Sequence, residues 1–169
     1  NDDCTGAPAP QEIGAGESIT MSGSSAGATV GVDEFGFALA WEAFTLTECA
    51  SLVTIDWCGS SPARTNALNA LFDGCPLGDA ALIFQLTFET TSCGDGNATQ
   101  TFGPMQPGTY YIPIVEDAGL GASGPYEIHV TTSAEVEATA SVTTDDCIGG
   151  TFTVTVDITN VGGGATINY

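Results

Sequence analysis

The run TFTVTVDIT at 151–159 sets Phe152, Val154, Val156 and Ile158 on one side and threonines with Asp157 on the other. A period of two is the mark of a strand with one apolar face. The same period returns along the chain. Val53, Ile55 and Trp57 alternate with Leu52, Thr54 and Asp56, and Leu82, Phe84, Leu86 and Phe88 form one row. Tyr126, Ile128 and Val130 alternate with Glu127 and His129, and Val136, Ala138, Ala140 and Val142 form another row. Further strands are predicted at 17–21, within FGFALAWEAFTLT and within QTFGPMQPGTYYIPIVE. A helical turn or two is predicted only around Thr65 to Leu71, too short to change the class. About eight strands in about 130 residues suffice for a two-sheet sandwich, so the expected fold class is all-β.

Composition agrees with that reading. The chain has 22 Gly and 8 Pro, the residues of tight turns, and its 43% hydrophobic content can fill a core. Charge narrows the partners. Acidic residues number 21 against one basic residue, Arg64, for a net charge of -20. Such a chain is repelled by nucleic acid and by anionic lipid, so neither is expected as a partner. No long apolar run predicts membrane insertion, and the absence of an initiator Met or a charged leader gives the chain the look of a mature, processed or partly observed product. Hard cations want several oxygens, and the loop acids Asp2, Asp3, Asp73 and Asp95 are the candidate calcium ligands. No cofactor is required by the sequence; calcium and covalent glycans are the two additions it leaves room for.

Six cysteines stand at 4, 49, 58, 75, 93 and 147, an even number with no CxxC pair. That spacing favours disulfides over zinc and places the protein in an oxidising compartment, outside the cell or on its surface. Six cysteines allow 15 connectivities. The favoured pairs are Cys75 with Cys93, which flank consecutive strands, and Cys4 with Cys58, stapling the first segment to a central strand. Cys49 and Cys147 then remain, to bond each other or another chain. The sequon Asn97-Ala98-Thr99 lies in the Gly-rich stretch CGDGNATQ and makes Asn97 a glycosylation candidate.

Enzyme chemistry finds little purchase. A chain without Lys has no Schiff base, no P-loop lysine and no Lys–Asn isopeptide bond. The single histidine, His129, reads as an exposed strand residue, and a serine triad or free-thiol nucleophile is not expected. A close carboxylate pair is almost inevitable among 21 acids and therefore says nothing. GLGASG at 119–124 joins two strands and reads as a hairpin loop. No enzyme is expected.

NDDC, WEAFTL, VTIDWCGS, LFDGC, CGDGN, PGTYYIPI and GPYEIHV, in that order, resemble the jelly-roll domains of secreted bacterial surface proteins and enzymes, modules similar to pre-peptidase C-terminal domains. The resemblance covers residues 1–132 and implies a jelly-roll β-sandwich there. Where family members often carry an acidic doublet, this chain has Gly94-Asp95-Gly96-Asn97. Residues 133–169 resemble the opening strands of an immunoglobulin-like domain. Such a domain needs about seven strands and about 100 residues, so these strands are expected to pack on the jelly roll, to be continued by further chain, or to be completed by a neighbouring subunit. The function expected is a structural subunit of an extracellular bacterial fibril, a homopolymer joined by strand complementation through Phe152, Val154, Val156 and Ile158. The alternative is a carbohydrate-binding or adhesive module of a larger secreted protein. Trp41, Trp57, Tyr110 and Tyr111 are its candidate surface aromatics; Trp57 shares the parity of a core row, and Tyr110 and Tyr111 point to opposite faces, so one of these two candidate glycan contacts is expected to face outward.

Overall fold

The computed structural model describes residues 3–30, 36–65, 68, 70–75, 80–116, 123–134, 136–143 and 153–161. Its strands are β1 (Gln11–Ile13), β2 (Ser18–Ser24), β3 (Leu39–Leu46), β4 (Val53–Asp56), β5 (Ala70–Phe72) and β6 (Leu82–Phe84). They continue with β7 (Thr87–Glu89), β8 (Thr99–Phe102), β9 (Gly108–Val115), β10 (Pro125–Thr132), β11 (Val136–Thr143) and β12 (Thr153–Val161). A 3-10 turn at Cys4–Gly6 precedes them. Two five-stranded sheets run β1-β3-β9-β5-β6 and β2-β10-β4-β8-β7, and β11 with β12 forms a two-stranded sheet of its own. The protein is all-β, with the two large sheets stacked as a sandwich.

Period two decides what each strand buries. In β4, Val53 and Ile55 point inward, and in β10 Tyr126, Ile128, Val130 and Thr132 do so. They meet Phe44, Leu46, Leu71, Phe102, Ile112 and Ile114 in the core between the sheets. Trp57 is 1% exposed within it, where its parity with Val53 and Ile55 puts it. Full burial of such side chains contributes about 1.5–3 kcal/mol each.

Strand β3 breaks the alternation, being buried on both faces. Its other face, Leu39 and Trp41, packs with Cys4, Phe72 and Val115 in a second cluster, joined by Ala7, Phe37, Cys75 and Tyr111. The N-terminal segment thus straps the outer side of the first sheet. Trp41, a surface-aromatic candidate on sequence grounds, is 0% exposed, with its ring edge-on to Phe72 at 5.8 Å.

Two expectations fail here for identifiable reasons. Ala70 and Leu71, placed in a helical turn by the pattern, form β5, which pairs with β6 and β9. Three residues between two sheet neighbours gain ladder hydrogen bonds that an isolated turn of helix cannot match. The row Leu82, Phe84, Leu86 and Phe88 does not lie on one buried face. Ile83, the residue of opposite parity, packs on the core, and the chain crosses from the first sheet to the second between β6 and β7. Alternation identifies two faces without saying which is covered.

Candidate assembly interface

The β11–β12 ribbon pairs antiparallel from Val136 opposite Val161 to Thr143 opposite Thr153, with one irregularity between Glu137 and Ala138. Its register sets Val154, Val156 and Ile158 opposite Val142, Ala140 and Ala138, so apolar positions of both strands coincide. Val156 is 56% exposed and Ile158 half-buried. Phe152 lies outside the described residues, and of Val154 only the strand position is described. A two-stranded ribbon is marginal in water without a partner surface. Its root is held firmly: the Ser133 hydroxyl lies 2.7 Å from that of Ser51 and accepts from the Leu52 amide at 2.9 Å, while the Ser133 amide donates to the Leu52 carbonyl at 2.9 Å.

The cysteines pair differently from expectation. The disulfides are Cys4–Cys75 and Cys58–Cys93, not Cys4–Cys58 and Cys75–Cys93. Cys4 and Cys75 meet over the outer face of the first sheet, whereas Cys58 and Cys93 join loops flanking the second, so each bond stays on its own sheet. Flanking consecutive strands was a poor guide because those strands, β6 and β7, belong to different sheets. Cys49 carries a free thiol, and Cys147 lies outside the described residues. Two disulfides fit an oxidising compartment. Among the described residues no helix is long and apolar enough to cross a membrane.

The Gly-rich loop holds a buried polar node where a surface sequon was expected. Asn97 is 1% exposed; its Oδ1 accepts from the Arg64 amide at 2.6 Å and its Nδ2 donates to the Ser60 carbonyl at 3.1 Å. A glycan on Nδ2 has no room, which removes Asn97 as a glycosylation site in this fold. Arg64 is 2% exposed. It donates to the carbonyls of Gly124 at 2.7 Å, Val115 at 3.1 Å and Pro125 at 3.3 Å, and to the Ser25 hydroxyl at 3.2 Å. Its guanidinium lies 5.8 Å from the Tyr126 ring centre. Sequence reasoning passed over this role, although a single cation retained among 21 acids was the available signal.

Among the described residues Asp3, Asp73 and Asp95 do not converge on a calcium site. Asp3 accepts from the Gly6 amide and the Thr5 hydroxyl, Asp73 from the Ala81 amide, and Asp95 from the amides of Gly59 and Asn97. These turn hydrogen bonds lower the pKa of Asp3, the Thr5 bond foremost, and of Asp95, the Gly59 bond foremost. Asp2 lies outside the described residues. Among the described residues the one group with metal-like spacing is Asp56 with Cys58 and Cys93, and its sulfurs are already bonded to each other.

Of the tyrosines, Tyr110 is buried in the core with its hydroxyl donating to the Gln106 carbonyl at 2.6 Å, so it is no glycan contact. Tyr111 is half-buried and lines a shallow cleft of about 330 Å³ with Pro8, Pro10 and the Cys4–Cys75 bond. His129 is half-buried, between the Thr20 hydroxyl at 2.9 Å and the Glu127 carboxylate at 3.1 Å.

One buried acid sets a pH dependence. Glu42 is 6% exposed and accepts from the Tyr126 hydroxyl at 2.7 Å. Gly23 makes this possible, since a Cβ there would overlap the Tyr126 ring. Burial raises the Glu42 pKa above its ordinary 4.5, and the Tyr126 hydrogen bond only partly offsets this. The folded state therefore holds the proton more tightly than the unfolded chain does, and Glu42 costs stability as pH rises above 4.5. Glu42→Gln keeps an acceptor for Tyr126 without the charge. It should raise the melting temperature by a few degrees at pH 7 and leave it unchanged near pH 3, as read by thermal circular dichroism.

Compared with protein-family models, curated proteins and solved structures, the chain matches none.

Proposed function

We propose that this protein is a non-catalytic structural subunit of an extracellular bacterial fibre or surface filament, assembled by β-strand complementation between copies. The observation that carries this reading is the β11–β12 ribbon, a two-stranded sheet with Val156 exposed and, among the described residues, no third strand beside it. A sheet too small to stand alone, rooted on a complete sandwich, is suited to completion by a neighbour. Donor and acceptor surfaces then differ, so the contact is heterologous and propagates.

The jelly-roll part of the reading draws on nested pairing. Strand β2 pairs with β10, β3 with β9, β4 with β8 and β5 with β6, as when one long hairpin is rolled up. The tail is read as an incomplete immunoglobulin-like module. Extracellular placement draws on the two disulfides. Glycan binding, the second reading, has Tyr111 at its cleft behind it.

Electron microscopy and sedimentation of the purified, oxidised chain test the assembly. Regular filaments are expected from the wild type, and none from Val156→Asp, whose sandwich should melt as the wild type does. Monodisperse monomers at high concentration of the wild type, or filaments unaffected by Val156→Asp, would remove the proposal.

A further inference from the structure

We infer that the Leu82–Phe88 edge of the sandwich is the seat for the β11–β12 ribbon of a second copy of this chain; the inference rests on the assembly reading above. Strand β6 ends the first sheet and β7 ends the second, and only Gln85 and Leu86 lie between them. Both sheets therefore finish on this side, and among the described residues neither β6 nor β7 has a further strand beside it. Here Leu82 is 39%, Phe84 68%, Leu86 60% and Phe88 37% exposed. Four large apolar side chains in seven positions expose about 400 Å², at about 200 Å² for each whole side chain, a patch of the size that marks an interaction site.

Natural edge strands are guarded by charge, proline or a covering segment. Residues 82–88, LIFQLTF, carry neither charge nor proline in a chain with 21 acids. That neutrality selects the occupant. Copies at -20 repel one another, and they can meet closely only where both surfaces are uncharged. Strand β12 offers the matching seam, since Asp157 is the only charge in 151–161.

The chain does not satisfy itself in this way. The ribbon leaves from the end of β10, which β4 and β8 separate from β7 in the sheet. Val156 and the Leu82–Phe88 row are exposed in the same molecule. Burying the row supplies about half of the 800 Å² or so that each partner gives to a standard interface, and main-chain pairing along these edges supplies more.

Cross-linking decides it. Full-length chains carrying Leu86→Cys are mixed with chains carrying Val156→Cys, both with Cys49→Ser and Cys147→Ser, and oxidised under assembly conditions. A disulfide-linked dimer is expected from the mixture and from neither variant alone. Separately, Phe84→Lys should raise the concentration needed for assembly at least tenfold while the melting temperature stays put, the side chain being exposed. If the wild type assembles but the mixture gives no dimer, or Leu86→Cys alone gives one, the seat is wrong and the assembly reading stands. A wild type that stays monomeric overturns both.

Discussion

Reducing both disulfides is expected to unfold the sandwich. Cys4–Cys75 closes a separation of 71 residues and Cys58–Cys93 one of 35. Loop-closure entropy of that size is worth about 4 kcal/mol per bond, and whole domains are stable by only about 5–15 kcal/mol. Losing both removes most of that margin. Losing one, as in Cys58→Ser with Cys93→Ser, should lower the melting temperature by about 10 °C, at about 2–4 °C per kcal/mol for a chain of this size.

Two readouts follow from where particular residues sit. Trp41 lies under the strap that Cys4–Cys75 holds, so reduction should shift tryptophan emission to the red as water reaches it. The chain's sole trypsin site follows Arg64, which is 2% exposed. Native protein should resist trypsin, and the reduced protein should fall into two fragments. An unchanged melting curve after complete reduction, verified by thiol titration, would show that the hydrophobic core alone carries the fold.

The period-two rows of β4, β10 and β12 were legible because alternation is a local property, and Trp57 could be assigned to the core from parity alone. What parity could not carry was the pairing of sheets. Leu82 to Phe88 reads as a buried row until β6 and β7 are seen to end different sheets, and the same crossing moved Cys93 away from Cys75. The burial of β3 on both faces depends on the N-terminal strap, a contact between distant segments. Asn97 read as a surface sequon because CGDGN is a loop in composition; its burial comes from Arg64 and Ser60, more than 30 residues away. Of the proposed interface, the β12 strand positions of Val156 and Ile158 were legible in the sequence, while the seat proposed for them was hidden by its resemblance to core.

Replacing Arg64 should be among the most damaging single changes. Its guanidinium joins the ends of segments that local sequence does not hold together: the Gly124 and Pro125 carbonyls at the start of β10, the Val115 carbonyl at the end of β9, and Ser25 after β2. Burial lowers its pKa, with the Tyr126 interaction opposing this, yet a guanidinium remains charged throughout the physiological range. Arg64→Met preserves much of the volume but takes the guanidinium donors from these buried acceptors, of which the Gly124 carbonyl keeps the Ser25 amide at 3.0 Å. A buried acceptor left unpaired costs about 1–3 kcal/mol, so the total should reach about 3–5 kcal/mol, a fall of about 10–15 °C in melting temperature. Arg64→Lys keeps the charge but loses the planar fork that reaches several carbonyls at once, and should recover about half. Equal melting temperatures for Arg64→Met and the wild type would mean that water replaces the guanidinium among these carbonyls. Equal losses for Arg64→Met and Arg64→Lys would instead assign the whole effect to the geometry of the fork, with none left for the charge.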